Sequence, residues 1–188
     1  MMPRTIHGLS AMACISAMQK CIRRNLELEA MRFAVELHLT SKSYSSMVCN
    51  RLEVISHEDI DTTAAPWIVP FVATATAQAR AWYKPEKLGR SLMPIGNSIR
   101  MMARAPKSRQ GDHFQASTRL AAQLEHYIPT IPDWALDQHT FEGRKLGRGL
   151  KYFRDESTRL VPAPAEPDPY SAEAYRLWAL DKGEDLDE

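Results

Sequence analysis

Three groupings in this sequence hold side chains able to do chemistry. His57-Glu58-Asp59 sets an imidazole beside two carboxylates, and neighbouring negative charge raises a histidine pKa toward acid–base work. A basic stretch holds Lys84, Lys87, Arg90, Arg100, Arg104, Lys107, Arg109 and Arg119 against only Glu86 and Asp112. A second basic group is Arg144, Lys145, Arg148 and Lys151. Placed on one helix, Arg144, Arg148 and Lys151 share a face at i, i+4, i+7 spacing. Gly143, Gly147 and Gly149 would let backbone approach a phosphate closely. Such a surface contacts nucleic-acid backbone through charge, with salt sensitivity and no sequence preference. The candidate nucleic-acid contacts are therefore Arg104, Lys107, Arg109, Arg144, Lys145, Arg148 and Lys151. The competing expectation is a solvated stripe paired with Asp155, Glu156 or the acidic chain end.

The remaining signals point away from catalysis. His57-Glu58-Asp59 falls at an expected helix end, where polar residues cap orphan backbone groups, so no catalytic residue is assigned. The six histidines are scattered, which predicts no metal site, and the absence of a Walker-type glycine loop predicts no ATP or other cofactor. Cys14, Cys21 and Cys49 match no zinc spacing and read as buried thiols of a reducing compartment. Trp134, Phe141, Tyr152 and Phe153 offer stacking surfaces, yet their spacing favours core packing. Net charge is +1, so only local charge argues for nucleic acid. No apolar run approaches the roughly 20 residues of a membrane span, and no secretory signal is visible, which predicts a cytoplasmic protein with no membrane partner.

The elements that must position these residues read as helices almost throughout. A first helix is expected over about 6–24, with Leu9, Ala13, Ala17 and Cys21 inward and Asn25 ending it. A second covers about 26–39, with Leu26, Ala30, Phe33, Ala34 and Leu37 inward. A third, about 44–55, is capped by a serine of Ser41-Lys42-Ser43 and ended by the His57 segment. A fourth covers about 64–82, with Pro66 in its first turn and Pro70 tolerated or kinking. A fifth runs about 86–103 with a break or kink at Pro94, and a sixth about 108–127. Ile128 to Pro132 is an extended linker. Asp133 caps a seventh helix to about 146, and a short helix covers about 150–160. Residues 161–169 are proline-rich, and a last helix over 171–180 leads into Glu184, Asp185, Asp187 and Glu188.

The order of four segments resembles the C-terminal helical region of the RarA/MgsA/Werner-helicase-interacting AAA+ ATPases, relatives of clamp loaders. Ile15-Ser16-Ala17-Met18-Gln19-Lys20-Cys21-Ile22-Arg23 stands where that family has Ile-Ser-Ala-x-x-Lys-Ser-x-Arg. Ala30 to Ala34 resembles its alanine- and aromatic-rich helix. Asn50 to Ile60 is similar to its Arg-Arg-Leu-x-x-x-(Ala/Ser)-Ser-Glu-Asp-Ile stretch, and Ala105-Pro106-Lys107-Ser108 matches its Ala-Pro-Lys-Ser. The resemblance covers about residues 15–118; beyond Tyr127 the chain departs from the family ending. It implies an all-α, clamp-loader-C-terminal-like multi-helix bundle, to which the residues after 160 add an extended Pro-rich tail. It also implies assembly into a homo-oligomer, a tetramer in that family, and a setting in DNA replication, recombination or repair. The family's Walker motifs and arginine finger have no counterpart here, so a separate AAA+ ATPase and DNA are the expected partners.

The expected organisation is a helical domain over 1–127, a variant helical extension over 128–160, and a Pro-rich linker with an acidic C-terminal helix over 161–188. The expected function is a non-enzymatic oligomerisation or scaffold module. The alternatives are a sequence-independent DNA-binding protein and, less favoured, an enzyme built on His57, Glu58 and Asp59.

Overall fold

A computed structural model describes residues 4–183; the acidic stretch 184–188 lies outside the described residues. Among the described residues the chain is all-helical, with two isolated antiparallel bridges and no strand. It divides into two compact units, one ending at His126 and the other beginning at Tyr127.

The first unit packs α1 (Ala11–Arg23), α2 (Glu27–Thr40), α3 (Lys42–Glu58), α4 (Ile68–Trp82) and α5 (Leu88–Arg104) around one core. Helix α1 begins later than the sequence suggests, because the Ser10 side chain caps it by accepting from Ala13 N. Its inward face is Ala11, Cys14, Ile15, Met18 and Ile22, and Leu9 and Ala13 are exposed. Turning the alanine-rich face outward lets the larger Ile15, Met18 and Ile22 leave water, and the larger apolar area decides. The helix closes on Asn25 at φ 57°, with Leu26 N donating to Cys21 O and Asn25 N to Ile22 O. That paired pattern is a Schellman ending, in which asparagine tolerates the left-handed conformation. It carries Leu26 outside, 44% exposed, rather than into the core.

Helix α3 is longer than expected at both ends. Ser41 caps it, and it runs through His57 and Glu58. Helix α4 starts after Pro66, which sits in the preceding turn, and Pro70 falls in its first turn, where no intrahelical N–H is lost. A 3-10 turn over Pro85–Lys87 feeds α5, which continues through Pro94 without the expected break. Pro94 is itself buried, so packing in the core holds the turn together.

Buried His38 joins three of these helices. Ser91 Oγ donates to Leu88 O at 2.9 Å, so it accepts from His38 Nε2 at 3.0 Å. The other ring nitrogen, Nδ1, then accepts from Ser45 Oγ at 2.8 Å. The Tyr83 ring meets the imidazole edge-on at 5.1 Å. Burial holds the His38 pKa below its ordinary value.

Helix α6 (Gln110–Leu124) buries no residue of its own. Its Phe114, Leu120, Ala121 and Leu124 lie within one apolar arc, and Phe114 is 75% exposed.

The second unit is irregular. The single helix expected over 133–146 is instead a 3-10 turn, Asp133–Ala135, a loop, and the short α7 (Phe141–Lys145) capped by the Thr140 side chain. Gly147, at φ 71°, ends α7 in a second Schellman arrangement: Gly147 N donates to Arg144 O and Arg148 N to Gly143 O. Helix α8 (Leu150–Tyr152) follows and passes into a π turn, Phe153–Ser157. Residues 161–169 form no regular element, and α9 (Ser171–Lys182) closes the described chain. Leu150 and Ala179 are the buried apolar residues of this unit.

Candidate functional site

The two motifs that open the family resemblance, fifty residues apart in sequence, are side by side. Asp59 ends α3, its N–H donating to Ile55 O, and the chain turns away extended. Ile60 pairs with Lys107 in an antiparallel bridge, flanked by Asp61 N to Pro106 O at 3.0 Å and Ser108 N to Asp59 O at 3.2 Å. The bridge places the end of α3 against the end of α5.

Helix α1 supplies the third side. Gln19 and Arg23 sit at i, i+4 and point together. Asp59 is 1% exposed, and its carboxylate accepts from Arg23 Nε at 2.7 Å and from Gln19 Nε2 at 2.9 Å. Glu58 accepts from Arg23 Nη2 at 3.0 Å, Arg109 Nη2 at 3.1 Å and Gln19 Nε2 at 2.9 Å. Arg109 also bonds Asp112, and Arg51 Nη1 donates to Gln19 Oε1 at 3.3 Å. The hydrogen bond from Arg23 to Asp59 raises the arginine pKa further. Charge is therefore balanced inside the cluster, and both carboxylates have their lone pairs engaged. That is how buried polar side chains are accommodated in a structural role, with donors supplied from neighbouring helices.

Lys107 completes the clasp from the other side. Its Nζ donates to Met102 O, Ala103 O and Ala105 O, each at 2.7 Å. An ammonium has three protons, so all are used on the last carbonyls of α5. Burial lowers the Lys107 pKa, with Asp59 pulling the other way. The capping expectation is corrected: the Glu58 and Asp59 side chains bind Gln19, Arg23 and Arg109 rather than the end of α3, and it is Lys107 that satisfies orphan carbonyls, at the end of α5. His57 is exposed and lines a shallow cavity of about 480 Å³ with Val54, Glu58, Thr62 and Gly111. Among the described residues no three His, Cys, Asp or Glu side chains group as a metal site requires. Cys14 and Cys49 are buried and Cys21 half-buried, and burial pushes the Cys49 thiol up to about 11.

No protein-family model and no curated protein matches this chain. The residue geometry is therefore what any functional reading rests on.

The candidate nucleic-acid residues fall into separate places. Arg104, Lys107 and Arg109 belong to the first unit, and Arg144, Lys145, Arg148 and Lys151 to the second. Arg104 grips Glu27 with two bonds, at 2.7 and 3.0 Å, on the surface. Arg148 grips the Asp133 carboxylate at 2.7 and 2.8 Å, donates to the Asp133 and Leu136 carbonyls, and lies 4.2 Å from the Tyr152 ring centre. Its partner is Asp133, not the Asp155, Glu156 or chain end that the sequence suggests. Lys145 stands 4.4 Å over the Phe141 ring, and Arg144 Nη1 donates to Gln138 O at 3.1 Å. Lys151 lines a different cavity, of about 600 Å³, with Trp134, Asp155 and Glu156.

The shared helical face of Arg144, Arg148 and Lys151 does not form, because left-handed Gly147 ends α7 between the first two. Core packing also fails for Trp134 and Phe141, each 59% exposed. A unit with so few buried apolar residues has no interior to receive them. Gln19, Arg23 and Arg51 are site residues that charge patterning alone does not reveal; the i, i+4 spacing of Gln19 and Arg23 is the one local signal.

The membrane expectation meets one observation: no helix of the described residues is long and apolar enough to cross a bilayer.

Proposed function

We propose that this chain is a non-enzymatic helical assembly module, related to the C-terminal region of the clamp-loader-like RarA/MgsA/Werner-helicase-interacting ATPases. The observation that carries it is α6. An isolated helix shorter than about 12–15 residues is marginal in water, and helices gain their stability chiefly by packing an amphipathic face. Helix α6 has 15 residues, an apolar arc and no buried side chain. A second copy of the chain laid on Phe114, Leu120, Ala121 and Leu124 would supply the missing packing.

Two features support the non-enzymatic part. The Glu58 and Asp59 carboxylates are held by Arg23, Gln19 and Arg109, and Lys107 has spent its protons on α5. Three of the four segments that carry the family resemblance, around Gln19 and Arg23, Glu58 and Asp59, and Lys107, lie at that one clasp, which supports reading them as fold-determining. On this reading the partners are further copies, four in all by the family's pattern, and a separate AAA+ ATPase in DNA replication or recombination maintenance. Light scattering during size exclusion tests it: the chain should elute as an oligomer, and Phe114→Ser with Leu124→Ser should shift it toward monomer. A clean monomer at high micromolar concentration would sink the reading.

The second reading is direct, sequence-independent DNA binding. Arg144 and Lys145 favour it, because their contacts among the described residues are a backbone carbonyl and a ring face rather than a carboxylate. It predicts salt-dependent binding weakened by neutralising Arg144 and Lys145 together. Unchanged affinity in that double variant would remove these two residues from this reading.

A further inference from the structure

A second cavity of the second unit, about 490 Å³, is lined by Gln138, Arg144, Gly147, Arg148, Gly149 and Lys182. Among the described residues it has no carboxylate in its lining, which sets it apart from the cavity with Asp133, Asp155 and Glu156. The three cations are not equivalent. Arg148 is neutralised by Asp133 through two bonds and serves to fix the loop. Arg144 and Lys182 instead converge on one neutral residue: Arg144 Nη1 donates to the Gln138 carbonyl at 3.1 Å, and Lys182 Nζ to Gln138 Oε1 at 2.6 Å.

The donor inventory leaves Nε and Nη2 of Arg144 and two of the three Lys182 protons for a further acceptor. Between them the chain passes through Gly147 in its left-handed turn, and a Cβ built there meets nothing within 4 Å. An acceptor can therefore come down to the backbone from that side. Two positive charges with no ion-pair partner among the described residues, a planar guanidinium, an ammonium and a bare glycine turn are the chemistry that receives a doubly charged tetrahedral oxyanion.

We infer that Arg144 and Lys182, gathered by Gln138 beside the Gly147 turn, form a binding site for a phosphate dianion, either inorganic phosphate or a terminal phosphomonoester. The charge count decides against a backbone phosphodiester, which carries one negative charge per phosphate. Lys182 lies 38 positions beyond Arg144, outside both basic groupings of the sequence, and Lys151 has no part in the site. The site stands independently of the assembly reading, since a monomeric chain would hold the anion equally well.

The test is a heteronuclear NMR titration of the full chain with sodium phosphate, at ionic strength kept constant with sodium chloride. Saturable shifts are expected at the Arg144, Gly147, Gly149 and Lys182 amides, and sulfate should reproduce them. Arg144→Gln and Lys182→Gln should each weaken binding at least about fivefold, the order of one lost charge-assisted bond, and Lys151→Gln should leave it unchanged. A measurement without variants runs beside it: phosphate should slow acetylation of Lys182 and spare Lys151. A thymidine oligonucleotide with a 5′-phosphate should compete for the same resonances, and the unphosphorylated strand should not. Competition by both strands equally would overturn the dianion assignment. Unsaturable shifts spread over surface lysines, or unchanged affinity in both Gln variants, would overturn the site.

Discussion

Replacing Asp59 by asparagine tests whether the His57-Glu58-Asp59 segment is a structural clasp. The wild-type carboxylate is 1% exposed and accepts from Arg23 Nε and Gln19 Nε2. In Asp59→Asn one oxygen can still accept from Arg23, but the new amide NH₂ then faces the NH₂ of Gln19. Gln19 cannot simply turn over, because its own oxygen accepts from Arg51. Breaking one partner of a fully buried ion pair costs roughly 3–5 kcal/mol. The Arg23 side chain is 28% exposed, so water recovers part of its solvation and the expected loss falls to about 2–3 kcal/mol. For a unit of this size that is a fall in melting temperature of about 8–11 °C. Because two compact units can unfold separately, the readout is hydrogen exchange of core amides of the first unit, such as Leu37 and Leu52, alongside the thermal melt. Exposed His57→Ala serves as the control and should stay within about 0.5 kcal/mol of the wild type. If Asp59→Asn protects its core amides as well as His57→Ala does, the clasp is not what holds α1 to α3.

Three further outcomes follow from the same geometry. Burial depresses the His38 pKa, so the folded state keeps the ring neutral and the unfolded chain binds the proton first. Stability from this group is complete above about pH 6.5 and is lost as pH falls through the folded value, with a slope up to about 1.4 kcal/mol per pH unit. Urea titrations between pH 7 and 5 should show that slope, and His38→Gln should flatten it. Lys107→Met keeps the stem but strands three carbonyls at the end of α5; a loss of about 1–2 kcal/mol in urea unfolding is expected. In Gly143→Ala the new Cβ would stand 1.9 Å from Asp137 O, so the Asp137–Arg148 loop must move, and the α7 amides should lose protection in hydrogen exchange.

Local signals and tertiary choices separate cleanly along this chain. Ser41 before α3, Asn25 after α1 and Pro66 ahead of α4 are short-range punctuation, and the sequence marks each of them. The inward face of α1 is different. Leu9, Ala13, Ala17 and Cys21 have helical spacing, as do Ala11, Ile15, Met18 and Ile22; only the neighbouring helices decide which set leaves water. Pro94 shows the same limit. A proline inside a helix reads as a break, yet its burial against the core carries α5 straight through it. In the second unit the glycines mislead in the other direction. Arg144, Arg148 and Lys151 have the spacing of a shared face, but Gly147 in a left-handed turn separates them.

By itself the sequence determined the helical class, the Ser41 cap and the Asn25 helix end. Those properties depend on side chains within a turn or two of each other, and they are written in local order. What joins Asp59 to Gln19 and Arg23, Ile60 to Lys107, His38 to Ser45 and Ser91, and Arg144 to Lys182 across Gln138 was decided by the tertiary structure alone. The partners in the Asp59, Ile60 and Arg144 groups lie some 36 to 47 residues apart, and Ser91 lies 53 beyond His38. A buried or converging polar group needs a partner, and which partner it meets depends on how the helices close around the core.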